Sequence, residues 1–163
     1  MEIKCSSGVS FVRAEPKLIE LAQIFYDKAV NELKIPIIIT SVDRKITTQM
    51  ALFCQGRMSL NDVNKIRKRL GLYLLDKSDN NVVTWTLDSN HVIDDKKPLS
   101  RAFDIAVLVN GVASWNDKVN VNKNQEADYI ELAKMGQSIG LVAGGLWLKP
   151  KTDFPHYELA IKQ

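Results

Sequence analysis

The chain has 163 residues, of which 45% are hydrophobic and 25% charged, with a net charge of +3 at pH 7. That is enough apolar material for the core of a single domain spanning residues 1–163, and it excludes intrinsic disorder. The two cysteines, Cys5 and Cys54, exclude a disulfide framework and a zinc knuckle, and no window approaches the apolar run that a membrane span needs.

In chain order, "MEIKCSSGVSF" has no apolar h-region, so the expectation is a protein made in the cytoplasm without a cleavable export signal and without stable membrane anchoring. "EPKLIELAQIFYDKAVNELK" sets Leu18, Leu21, Ala22, Phe25, Ala29, Val30 and Leu33 at helical spacing, with Pro16 in the first turn, where its missing N–H is harmless. "IPIIITSV" is β-branched and starts at a proline, which predicts a buried strand. "TTQMALFCQG" predicts a short helix ended by Gly56, and "SLNDVNKIRKRLG" a second, with Asn61 as N-cap and Gly71 past its end. "NVVTWTL" and "RAFDIAVLV" alternate or run apolar as strands do. "EADYIELAKMGQSIG" reads as a further helix stopped at Gly140, and "HYELAI" as a last strand. Helices packed on a small, mainly antiparallel sheet make the expected fold class α+β.

The basic run "KIRKR" at residues 65 to 69 is expected to spread its charges over a solvated helix face while Val63, Ile66 and Leu70 turn inward. No nucleic-acid-binding motif accompanies it, so nucleic acid is not an expected partner. Trp85, Trp115 and Trp147 read as core or cleft-wall residues. Gly144 and Gly145 lack the lysine and hydroxyl that complete a phosphate loop.

The chain holds only two histidines. His91, in "TWTLDSNHVIDD", ends one strand-like segment; His156, in "DFPHYEL", begins the last; Asp104 lies in a strand-like segment between them. A fold that gathers these strand ends offers two imidazoles and one carboxylate, with a fourth position left to water. That is the ligand count of a catalytic zinc site rather than a structural one. Spacing alone equally admits two ordinary hydrogen-bonded histidines.

The segments "SNH", "SRAFDI" and "DFPHYEL" resemble, in order, the signature of the zinc D,D-peptidase superfamily. "ITSVDRKITTQMALFCQGR" resembles its strand–arginine–helix segment, with Arg44, Gln49 and "QGR" in place. "VTWT" and "IGLVAGGLW" resemble the phage-endolysin branch, whose members cut the L-alanyl–D-glutamate bond of peptidoglycan. The resemblance spans residues 37 to 159. It implies a hedgehog/D,D-peptidase-like domain and one Zn²⁺ per chain, held by His91, Asp104 and His156. By position it implies Asp153 as general base and Arg44 as the arginine that stabilises the oxyanion or holds a substrate carboxylate. Ser89 and Gln49 match positions that contact or orient substrate. The implied setting is bacteriophage lysis: a monomer released through a holin lesion and acting on peptidoglycan in the periplasm and cell wall. A D-alanyl–D-alanine carboxypeptidase or dipeptidase, or a non-catalytic peptidoglycan-binding module, would carry the same fold.

Three positions depart from the family pattern. The step from His91 to Asp104 is longer than usual, and the extra residues, in "VIDDKKPL", suit a surface loop that brings Asp94 and Asp95 close to His91 as rival ligands. Asp104 is preferred because an apolar strand makes a lone carboxylate need a partner. "SVDR" lacks the glycine usual before the arginine, and Ala143 stands where the endolysin branch often has tryptophan.

Overall fold

The computed structural model describes residues 2–160. In chain order the elements are α1 (Pro16–Asp27), β1 (Ile37–Ser41), β2 (Arg44–Lys45), α2 (Ile46–Cys54), α3 (Leu60–Arg69), β3 (Val92–Ile93), β4 (Ala102–Val109), β5 (Val112–Ser114), α4 (Asp128–Ser138), β6 (Leu141–Ala143) and β7 (His156–Leu159). Residues up to Asp43 and from Leu99 onward form one compact unit, and Arg44–Pro98 form another. The class is α+β, as expected. None of the described helices is long and apolar enough to cross a membrane.

The first unit is built on an antiparallel sheet in the order β1–β4–β7–β6, with β5 folded back on β4. Strand side chains alternate between faces, and β4 uses both. Phe103, Ile105 and Val107 join the core with Leu18, Ala22 and Phe25 of α1 and with Tyr129, Leu132 and Ala133 of α4. Asp104 points to the other face. Strand β7 repeats the pattern, with Tyr157 and Leu159 in the core and His156 and Glu158 on the face of Asp104. The register is held from the core side. Tyr157 stacks on Phe103 at 5.4 Å between centroids, and Phe25 packs on both rings. Gly136 lets α4 approach this cluster, since a Cβ there would lie 2.8 Å from Tyr157 Cε1.

The second unit pairs β2 with β3 in a two-residue parallel ladder and packs α2 near α3. It departs from expectation in three places. The cap of α3 is Ser59, whose Oγ accepts from the amide of Asp62; Asn61 lies inside the first turn and is exposed. Residues 82–87 form no ladder, although they alternate as a strand would. Their polar groups are met by side chains of other segments. The Gln49 carboxamide donates to Thr84 Oγ1 and the Thr86 carbonyl, and Arg57 donates to the Thr84 carbonyl. Val83, Trp85 and Leu87 are left exposed, so Trp85 is not a core residue, and neither is the exposed Trp115 of the other unit. In the basic run, Arg67 is buried while Leu70 is exposed. The Arg67 guanidinium donates to the Tyr73 carbonyl at 2.7 Å and to Gln55 Oε1 at 3.2 Å, and it lies 4.4 Å above the Tyr73 ring. Oxygens and a ring face thus replace water around a buried cation.

The Tyr157 hydroxyl is buried without a hydrogen-bond partner. An unmet hydroxyl weakens the fold, so Tyr157→Phe should raise the unfolding free energy by about 1 kcal/mol. Urea denaturation reads this, and a loss of stability would show that the hydroxyl has a partner in solution.

Candidate metal centre

The sheet register builds half of the site. Asp104 and His156 face each other across β4 and β7, and His156 Nδ1 lies 3.1 Å from Asp104 Oδ1. The other ring nitrogen, Nε2, lies 2.9 Å from Glu158 Oε2. The His156 side chain is only 8% exposed, and Trp147 packs beside its ring at 5.3 Å between centroids. Burial alone would push this imidazolium to a lower pKa. Hydrogen bonds to Asp104 and Glu158, with the charges of Asp104 and Asp153, outweigh burial and raise it to about 10.

Asp153 sits at the start of the turn that feeds β7. The His156 amide donates to the Asp153 carbonyl, and the Asp153 amide donates to the Gly144 carbonyl at 3.0 Å. Gly144 belongs to a 3₁₀ turn at Gly144–Leu146 and must remain without a side chain. A Cβ there would meet the Asp153 carbonyl oxygen at 2.5 Å and the Cβ atoms of Asp153 and His156 at 3.1 Å. The glycine pair is therefore the seat of the "DFPH" turn.

His91 is buried and directly precedes β3. Its carbonyl accepts from the Arg44 amide at 2.8 Å, and its own amide meets Ser89 Oγ at 3.3 Å. Ser89 thus holds the turn that carries the histidine. The Arg44 guanidinium donates to Gln49 Oε1 at 2.7 Å. Gln49 is fully buried, with its carboxamide committed to Arg44, Thr84 and Thr86. Asp94 is exposed, and its Oδ1 accepts the amides of Lys96 and Lys97, closing the inserted loop on itself.

The ligand atoms offered by His91, Asp104 and His156 lie within 4.8 Å of one another, a set able to hold a metal ion. Asp94 and Asp95 are not in it. Two nitrogens and one oxygen suit Zn²⁺ and leave a coordination position open. The Asp104 carboxylate, mostly hidden from water at 19% exposure and 3.1 Å from His156 Nδ1, fits the same demand.

No family model matches this sequence, and no curated protein does. Solved structures do. The Serratia marcescens L-Ala D-Glu endopeptidase ChiX superposes with a TM-score of 0.54 at 18% identity, covering 98% of this chain and 92% of its own. The chain shares its fold. The LdcB LD-carboxypeptidase superposes with a TM-score of 0.50 at 13% identity over 97% of this chain and 65% of its own. The second likeness extends the fold to a protein whose structure concerns peptidoglycan recognition.

Three residues of this centre escaped the sequence reading as site residues: Glu158, Trp147 and Gly144. Only Glu158 left a signal, since "HYEL" in a strand puts positions 156 and 158 on one face.

Two outcomes are expected. Gly144→Ala should cost about 1–3 kcal/mol, because the methyl meets the Asp153 carbonyl oxygen at 2.5 Å, whereas at Gly145 the nearest atom, Ala133 Cβ, lies 3.1 Å away and the cost should be less. Chemical denaturation compares them. In the metal-free protein the raised His156 pKa contributes stability that is full below about pH 6.5, the ordinary value, and is lost as pH rises through about 10. Thermal unfolding should fall across that window, and Asp104→Asn should flatten the fall.

Proposed function

We propose that this protein is a zinc-dependent peptidoglycan hydrolase that cuts the L-alanyl–D-glutamate bond of the stem peptide. The observation that carries the reading is the His91–Asp104–His156 ligand set in a chain with the fold of an L-Ala D-Glu endopeptidase. The likeness to an LD-carboxypeptidase supports a second reading, removal of a terminal residue from the stem peptide.

Amide hydrolysis needs a better nucleophile than water and a better electrophile than an amide. A cation held by His91, Asp104 and His156 would supply both, since a bound metal lowers the pKa of water and polarises a carbonyl. The chain's own residues do the rest. The Asp153 carboxylate takes the proton of the attacking water and returns it to the departing amine nitrogen. Its backbone, pinned to Gly144 and to His156, keeps base and ligand in one frame. The Arg44 guanidinium, permanently charged, meets the negative charge that develops on the carbonyl oxygen or holds a substrate carboxylate. Gln49 fixes the direction of Arg44 from beneath, and Ser89 fixes the backbone of His91. In this reading both act on their neighbours rather than on substrate.

Asp153→Asn should lower peptidoglycan turnover by about 10²–10⁴-fold while zinc binding is retained. Mass spectrometry of the products, with and without chelator, checks the bond. Peptides that begin at glutamate support the endopeptidase; loss of one terminal residue moves the protein to the carboxypeptidase reading. Undiminished turnover in Asp153→Asn would remove Asp153 as the base.

A further inference from the structure

We propose that Glu158 is a positioning residue of the metal centre: its carboxylate holds the Nε2–H of His156, so that Nδ1 is the atom the imidazole presents to the metal. The inference rests on the metal-binding reading above and adds which atom of His156 is used and what selects it.

An imidazole has two ring nitrogens on different sides, and a neutral ring carries one N–H and one lone pair. Which nitrogen carries which is decided by the partner of the other. In β7, Glu158 follows His156 by two residues and shares its face; across the ladder they sit opposite Ala102 and Asp104. The strand period therefore delivers a carboxylate to one edge of the ring while the sheet register delivers Asp104 to the other. The distances are 2.9 Å from Nε2 to Glu158 Oε2 and 3.1 Å from Nδ1 to Asp104 Oδ1.

A carboxylate only accepts, so Glu158 requires hydrogen on Nε2. Asp104 accepts from Nδ1 in the same way while the ring is charged; when a metal takes the place of that proton, the lone pair it meets is on Nδ1, the edge that faces Asp104. Glu158 is outside the set of side chains grouped for a metal, and its 18% exposure leaves water a weak competitor for the ring. Trp147 limits the tilt of the imidazole, but an indole has no acceptor for an N–H and cannot choose between the nitrogens. Glu158 thus does two things at once: it fixes the ring rotation and, through its charge, strengthens Nδ1 as a donor.

The test measures zinc affinity of the wild type, Glu158→Gln and Glu158→Ala by competition with a chromophoric chelator. Nitrogen-15 NMR of the zinc-loaded proteins then reads which nitrogen of His156 is ligated. Glu158→Ala should weaken zinc binding by about 10–100-fold. Glu158→Gln, whose amide oxygen still accepts the Nε2–H, should recover most of that loss, and the wild-type spectrum should show Nδ1 ligated with Nε2 protonated. A residue that only stabilised the strand would lower the unfolding temperature and leave Nδ1 ligation and zinc affinity unchanged. Unchanged affinity in Glu158→Ala, no recovery in Glu158→Gln, or ligation through Nε2 in the wild type overturns the proposal while the metal centre stands. A wild type that binds no zinc overturns the metal centre and this proposal together.

Discussion

The pairing of Asp104 with His156 across β4 and β7 is the constraint on which this half of the site depends. It is not held by those two residues. Phe103 and Tyr157, their neighbours in the same ladder, are stacked in the core against Phe25. Because strand side chains alternate, a slip of one residue would send the aromatic rings to the polar face and the ligands into the core. The hydrophobic packing on one side of the sheet therefore sets the ligand geometry on the other. The placement of Asp104 beside His156 thus inherits its precision from the core.

The second unit reaches order by another route. Its interior includes polar groups that are buried and satisfied: Gln49 beneath Arg44, Gln55 beside Arg67, and Arg67 over Tyr73. Such groups are costly when half-satisfied and directional when fully satisfied. The Gln49 carboxamide uses its oxygen on Arg44 and its nitrogen on Thr84 and Thr86, so one side chain orients a cation and anchors a segment that has no ladder. Arg44 in turn is tied through its backbone to the carbonyl of His91. An apolar residue of the same size at position 49 would fill the space and lose both functions.

Much of this was legible in the sequence, for reasons of residue type and order. The helical spacing of Leu18, Ala22 and Phe25, the apolar run of β4 and the rarity of histidine each carry a local signal. The π turn at Lys28–Glu32 that continues α1 changes nothing in that reading beyond its end. Residues 82–87 misled because alternation signals an extended backbone, not the partner that satisfies it; that partner, Gln49, is remote in sequence. Arg67 was hidden among Lys65, Lys68 and Arg69, and only the position of Tyr73 and Gln55 in space distinguishes it. Gly144 was illegible as a site residue, since its role is to leave room for a backbone nine positions later. The long step from His91 to Asp104 is a loop that Asp94 closes on itself, so a fixed spacing between those ligands fails as a search pattern for this chain.

The open side of residues 82–87 has an evolutionary consequence. The segment is fastened through Thr84 and Thr86, while Val83, Trp85 and Leu87 are each about half exposed. Anchoring and display fall on different residues of one short stretch. Substitution of the displayed side chains therefore leaves the hydrogen bonds that fasten the segment in place. Drift at these three positions is less constrained by folding than drift at Thr84 and Thr86, whose polar groups fasten the segment.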